Sequence, residues 1–207
     1  MRLFIIFLLF SVGLPAQKID LSDNFSSLLE QCQLEFLAPL DAGYKDIAIG
    51  RNPFQPYDFA IRSRKEKLEI RYLIEPYRPE DPSFEAPHVR CIQKLMHLAS
   101  NDQEFVMTGV DIDTTSLREN FNADWGKTFF FKPKPYFSQS RHVKMLALFK
   151  EGKGIAYIFF LFDEPSRNLD NRIYTLRFLE EGTTQWMVKL LYCLFIEQAS
   201  RSETFTL

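Results

Sequence analysis

The stretch HVKMLALFKEGKGIAYIFFLF (residues 142–162) has the strongest sheet signal in the chain. Two apolar runs, VKMLALFK and IAYIFFLF, flank the glycine-bearing EGKG, which predicts two antiparallel strands joined by a hairpin loop. The second run, Ile155 to Phe162, is apolar at every position, whereas a strand with one wet face alternates. Both of its faces should therefore be covered, by helices on both sides or by a helix on one side and another layer on the other.

Other parts of the chain predict further strands. Apolar residues alternate with polar or small ones from Tyr57 to Ile61 and from Leu68 to Ile74, which is typical of strands with one covered face. SRKEK (63–67) joins these two strands as a second hairpin. Shorter strands are predicted in LEFLAP (34–39), near residues 47–49, in EFVMTGVDI (104–112) and in TFFF (128–131), whereas RIYTLRFLEE (172–181) fits helix and strand and is assigned to helix.

Apolar residues at helical spacing predict four helices. Ser22 or Asp23 caps the first, and a capping box of Ser116 and Glu119 begins the third. The last, WMVKLLYCLFI (186–196), is apolar on nearly all sides and should be buried or form a docking face. We therefore predict an α+β fold, an antiparallel sheet covered by helices as an α/β/α-type sandwich. The predicted buried faces are Phe25, Leu28, Leu29 and Cys32 in the first helix and Val89, Ile92, Leu95, Met96 and Ala99 in the second.

The N-terminus has the three-part plan of a secretory signal peptide. Arg2 precedes an apolar run from Leu3 to Leu14, and PAQ follows as a cleavage site. We expect a signal peptide at residues 1–16, a single α+β domain at 17–207, a secreted or periplasmic location and no membrane span after cleavage, because the run is shorter than a spanning helix. With 25 basic and 27 acidic residues, the chain is not a nucleic-acid-binding candidate.

FNADWGKTFFFKPKPYF (121–137) is the candidate binding stretch. Asp124, Trp125, Lys132, Lys134 and Tyr136 are the residues predicted to contact a protein or envelope component. Lys132 and Lys134, with Arg141 and Lys144, could form a basic patch beside Tyr136 and Phe137 for an anionic partner. The same residues also fit structural roles, because asparagine and glycine commonly end helices, and lysine and proline at a sheet edge prevent it from pairing with another strand.

Catalytic and cofactor motifs are weakly represented. There is no G-x-S-x-G elbow and no Walker loop, so no cofactor is predicted. The histidines do not have the spacing of a metal site. Asp111 and Asp113 could give two oxygen ligands on one face of a strand, but calcium takes about six to eight and no EF-hand loop supplies the others, so Asp113 is predicted instead to cap the helix that follows. An acid–base pair of Asp124 and His142 is the alternative, hydrolytic interpretation. Cysteines 32 and 91 could form a disulfide or remain buried thiols.

LEFLAPLDAGY (34–44) and the 142–162 hairpin resemble the opening strand and central hairpin of the PsbP-like family of small α/β sandwiches. The resemblance covers Leu34 to Phe178, while FNADWG and the apolar C-terminal helix depart from the family pattern. Members of that family are mostly non-enzymatic accessory or binding proteins, and none of their functional residues has a matching position here. The resemblance implies an exported, non-catalytic binding or accessory protein of the cell envelope or extracellular space, with a secreted hydrolase as the alternative.

Overall fold

The computed structural model describes residues 19–49, 57–102 and 107–180. Its helices are α1 (Asp23–Gln31), α2 (Pro87–Leu98) and α3 (Thr114–Phe121), with 3₁₀ segments at Leu40–Ala42, Pro82–Glu85 and Leu169–Thr175. Its strands are β1 (Leu34–Phe36), β2 (Lys45–Asp46), β3 (Phe59–Ser63), β4 (Leu68–Pro76), β5 (Thr108–Asp111), β6 (Trp125–Phe131), β7 (His142–Lys150), β8 (Gly154–Phe162) and β9 (Leu176–Phe178). Within these residues, no helix combines the length and the apolar character needed to cross a bilayer.

Seven strands form one antiparallel sheet in the order β2-β3-β4-β8-β7-β6-β5. The predicted EGKG hairpin is its centre, with Lys150 of β7 opposite Gly154 of β8. Gly154 has φ of 131°, a conformation that favours glycine, and an added Cβ would meet the β4 backbone. β1 and β9 form a separate antiparallel pair. The predicted α+β fold is confirmed.

The sheet has an apolar core on each face. We call the face beneath α1, α3 and the β1–β9 pair the first face, since Phe25 of α1 and Phe121 of α3 are buried there against Ile70 and Leu148. The second face lies beneath α2, whose Leu95 belongs to a core with the odd-numbered residues of β8. All nine residues of β8 are buried, as its unbroken apolar run predicts. Helices therefore cover both faces.

The buried side of α2 differs from the predicted one. Cys91, Leu95 and Leu98 are buried, whereas Val89, Ile92 and Met96 are exposed. The helix offers two apolar stripes, and ion pairs select between them. Arg90 and Lys94 both pair with Glu75 of β4, at 2.7 Å each, which turns Val89, Ile92 and Met96 away from the sheet.

Three smaller predictions are corrected. The capping box at Ser116 is wrong, because Asp113 is the N-cap and its carboxylate accepts the Ser116 N–H at 2.9 Å. The expected strand at 47–49 lies earlier, at Lys45–Asp46. RIYTLRFLEE contains the end of a 3₁₀ segment and then β9, because Leu176–Phe178 pairs with β1. The predicted signal peptide (1–16) and apolar helix (186–196) lie outside the described residues.

Candidate anion-binding cleft

Lys132, Lys134 and Tyr136, three of the predicted binding residues, lie at the C-terminal end of α2. A helix leaves its last carbonyls without intrahelical partners. The Lys134 ammonium donates to the carbonyl of Met96 at 2.9 Å, and the Lys134 N–H donates to that of Leu98 at 2.8 Å. The Tyr136 hydroxyl donates to the carbonyl between them, that of residue 97. Lys132 pairs with Asp102 at 2.6 Å. KPKPY thus caps a helix.

Asp124 and Trp125 lie at the opposite end of β6. The Asp124 carboxylate accepts the Glu151 N–H at 2.8 Å, which fixes the β7–β8 loop. Trp125 begins β6 and packs, half-buried, against the core of the second face. Six residues of strand separate Trp125 from Phe131, about 20 Å. The five predicted binding residues are therefore divided between the two ends of β6.

The predicted acid–base pair is also separated. The Asp124 N–H donates to the Phe149 carbonyl at 2.9 Å, next to the end of β7, whereas His142 is the first residue of that strand. His142 and Phe149 are seven residue steps apart in an extended strand, about 23 Å. Since proton transfer needs hydrogen-bond reach, Asp124 and His142 cannot act as one pair.

The predicted basic patch is likewise divided between the two faces of the sheet. Lys144 is buried and pairs with Asp170 at 2.7 Å, over the first face. Phe137 is buried in the core of the second face. Lys144 is therefore part of the folded interior and does not extend a surface around Tyr136.

Both described cysteines are free thiols, so the disulfide alternative for Cys32 and Cys91 is wrong. They belong to the cores of opposite faces of the sheet. Burial raises the pKa of each thiol to about 12, which makes both poor nucleophiles. Among the described residues, no group of three or more histidines, cysteines and carboxylates could hold a metal ion.

A different set of residues surrounds a cleft of about 320 Å³ on the second face. The β3–β4 hairpin supplies most of its lining, and the end of β8 and the loop before β7 close it. The cleft is lined by three cations, one carboxylate, two hydroxyl groups and two leucines: Arg62, Arg64, Lys67, Glu69, Ser63, Ser140, Leu68 and Leu161. Positive charge therefore predominates around the cleft.

The single carboxylate of the cleft is already neutralised. Glu69 has a side chain 10% exposed and accepts from Arg62 Nε at 2.9 Å and from Arg71 Nε at 2.6 Å. Arg71 is held in turn by the Phe137 carbonyl, at 2.6 Å, and lies over the rings of Tyr57 and Phe137. FNADWG…KPYF thus contributes to the cleft only indirectly, through its last residue, which holds Arg71 behind the floor.

Arg64 and Lys67 form the exposed rim of the cleft. Neither makes an ion pair or side-chain hydrogen bond with another described residue. Counting Arg71 behind the floor, four cations and one carboxylate converge, a local charge of +3 in a chain with a net charge of −2. Such a concentration of guanidinium and ammonium groups in a concave site attracts anions.

Glu66, the carboxylate in the turn between β3 and β4, is directed away from the cleft. It accepts from Arg172 Nη2 at 2.6 Å, from Tyr44 Oη at 2.5 Å and from Asn168 Nδ2 at 3.0 Å. The Arg172 hydrogen bonds lower the pKa of Glu66 to about 2. Arg172 also pairs with Asp41 at 2.8 Å. Glu66 therefore stays ionised but does not neutralise the rim.

The sequence contains a basic segment that could have indicated this cleft, although the segment was interpreted only as a hairpin. RSRKEKLEIR (62–71) has five basic residues in ten, the densest basic segment of that hairpin region. Its convergence with Ser140 and Leu161 depends on the pairing of β4 with β8, which local spacing does not reveal.

Comparison with known proteins does not indicate what this cleft binds. No family model, no curated protein and no solved structure matches the chain. What the cleft binds is therefore inferred from its own charges and shape.

Proposed function

We propose that this chain is an exported, non-catalytic binding protein that holds an anionic group of its ligand, a phosphate or a carboxylate, in the cleft of the β3–β4 hairpin. The observation that supports this most directly is the pair Arg64 and Lys67, two rim cations without a carboxylate partner among the described residues. Arginine recognises both anions with two parallel hydrogen bonds, and lysine adds a point charge.

The floor of the cleft favours binding because it is preorganised. Arg62 is positioned by Glu69, and Glu69 is positioned by Arg71, which the Phe137 carbonyl holds. A ligand would therefore meet Arg62 with its side chain already partly ordered, which lowers the entropic cost of association. Glu69 is engaged by both arginines, so no free base is offered to a reacting group.

The hydrolase alternative rests on Asp124 and His142. Because these residues lie at opposite ends of β7, that alternative keeps no geometric support. The resemblance to the PsbP-like family, whose members are mostly binding or accessory proteins, favours the same non-catalytic class. A partner in the cell envelope or extracellular space is part of the proposal.

Export is tested by the mass of the protein recovered after expression with its own N-terminus. Cleavage after Ala16 or Gln17 removes the apolar run and gives a mass short by 16 or 17 residues. Recovery of a chain that still begins at Met1, in the cytoplasm, would contradict export and leave the anion site unaffected.

The anion site is tested by titrating the purified protein with inorganic phosphate and, separately, with acetate. The test variant carries Arg64→Gln and Lys67→Gln. The matched control carries Arg78→Gln and Lys153→Gln, which removes the same two charge types beyond the other end of β4, where neither side chain pairs with a described residue.

We expect saturable binding that weakens with added salt and falls at least about tenfold in the test variant, equivalent to about 1.4 kcal/mol. The control variant should bind as the unchanged protein does. Equal weakening in both variants would mean that overall charge, and not the cleft, attracts the anion. A preference for phosphate or acetate identifies the anionic group.

A further inference from the structure

One part of the first face has no cover from the residues that the structure describes. Over β3, β4 and β8 this face is covered by α1 and the β1–β9 pair, and α3 covers the start of β6. Beyond Gly126, however, Val110 of β5 is 50% exposed and Phe130 of β6 is 37% exposed. Their register places both on the first face, since Val110 is opposite Thr128 and Phe130 is opposite Lys144. Two apolar side chains of the sheet thus lack a cover there.

The bare area has defined sides. The 3₁₀ segment Leu169–Thr175 runs along one side, because its Asp170 pairs with Lys144, whose ammonium lies 5.4 Å from the Phe130 ring centre. Tyr174 of that segment, itself 43% exposed, stacks on Phe121 of α3 at 5.5 Å. Val110, Phe130 and Tyr174 are the exposed apolar side chains around this area, which we call the β5–β6 trough.

The chain leaves the described residues on this same face. The Leu179 N–H donates to the Gln33 carbonyl at 2.7 Å, and the Leu179 carbonyl accepts from the Asn122 side chain at 2.8 Å. Asn122 is the C-cap of α3, next to the start of β6. The last described residues therefore lie at the α3 end of the trough.

The length and composition of residues 181–196 fit a position over the β5–β6 trough. Residues 181–185 can span about 17 Å, and the apolar run 186–196 would be about 16 Å long as a helix, shorter than the seven residues of β6. The run WMVKLLYCLFI contains one charged residue, Lys189. A segment so apolar requires a cover of similar character.

We propose that residues 186–196 dock in the β5–β6 trough against Val110, Phe130 and Tyr174, and complete the layer that covers the first face. The segment belongs to the same chain, so its effective concentration at the trough is set by a tether of only a few residues. This proposal is independent of the anion site, which lies on the other face of the sheet.

Hydrogen exchange of the full chain tests the proposal. The test variant is Val110→Asp with Phe130→Asp, and the matched control is Ile92→Asp with Met96→Asp, which places two charges on the other exposed apolar stripe, that of α2. We expect amides of residues 186–196 to be protected in the unchanged protein and in the control. Their protection should fall at least about tenfold in the test variant.

Amides of β7 and β8 serve as the internal standard, since their protection shows that the variant is folded. If the charged variant loses that protection, Val110→Ala with Phe130→Ala replaces it. Unprotected amides at 186–196 in the unchanged protein would overturn the proposal. So would loss of their protection in the α2 variant alone, which would place the segment on the second face. Protection that rises with protein concentration, together with a dimeric mass in light scattering, would assign the trough to a second copy.

Discussion

Replacing Glu66 by glutamine removes the negative charge at the centre of a buried network while keeping the shape of the side chain. Glu66 has a side chain 7% exposed and joins the β3–β4 hairpin to Arg172 and to Tyr44. In Glu66→Gln, the guanidinium of Arg172, itself 9% exposed, keeps Asp41 as its one charged partner among the described residues, and Asp41 is 70% exposed. A nearly buried cation is thereby left with one solvated counterion.

The magnitude follows from the pKa of Glu66. Hydrogen bonds from Arg172 lower this pKa from its ordinary 4.5 to about 2. At about 1.4 kcal/mol per unit the difference corresponds to about 3 kcal/mol, which solvent around Asp41 screens to about 2 kcal/mol. A carboxyl group whose pKa is lower in the folded state stabilises the fold above pH 4.5, and this contribution is lost as the pH falls toward about 2.

Urea unfolding at pH 7 and at pH 3 measures both effects. At pH 7 the free energy of unfolding of Glu66→Gln should be about 2 kcal/mol below that of the unchanged protein, and at pH 3 the gap should shrink to below about 1 kcal/mol. The control is Glu35→Gln, which breaks the exposed pair with Arg177 and should cost about 0.5 kcal/mol or less. A gap of the same size at both pH values would refute the reasoning.

Three further predictions concern the central hairpin, the end of α2 and the cysteines. Gly154→Ala should cost about 3 kcal/mol or more by urea unfolding, because the new Cβ would collide with the β4 backbone, whereas Gly152→Ala, with φ of 67° and open space around it, should cost about 1 kcal/mol. Tyr136→Phe should lower the free energy of unfolding by about 1 kcal/mol, through loss of the α2 cap, and leave phosphate affinity unchanged; weakened binding would return this residue to a ligand site. Cys32 and Cys91 should resist iodoacetamide in the native protein and both react in denaturant, as read by peptide mass; resistance in denaturant without reductant would indicate a disulfide.

The central hairpin was predictable because its information is local. The run Ile155 to Phe162 and the loop EGKG specify two long strands, and an all-apolar strand requires cover on both faces. The end of α3 was predictable for the same reason, since Asn122 adopts the left-handed conformation that helix ends favour.

The rotation of α2 was not predictable from its own sequence. The helix carries two apolar stripes, and the choice between them depends on ion pairs with Glu75, a residue of β4. Hydrophobic spacing selected the stripe with Ile92 and Met96, which the structure leaves exposed. Contacts between distant segments thus override helical periodicity.

The anion-binding cleft could not be predicted from the sequence for a related reason. KPKPY was interpreted as a binding motif because its lysines beside Tyr136 suggest a basic patch for an anionic partner, yet carbonyls at the end of α2 accept hydrogen bonds from Lys134 and Tyr136. The cleft depends on Glu66 turning toward Arg172 and on strand pairing between β4 and β8. Neither is encoded by spacing along the hairpin.

The most direct test of the anion-binding account is a ¹H–¹⁵N NMR titration of the purified protein with inorganic phosphate. The account predicts saturable shifts at the amides of residues 62–69 and of Ser140, which surround the cleft, and none at the distant β7–β8 loop. Shifts that grow without saturation, or that spread evenly over the lysines and arginines of the surface, would contradict it.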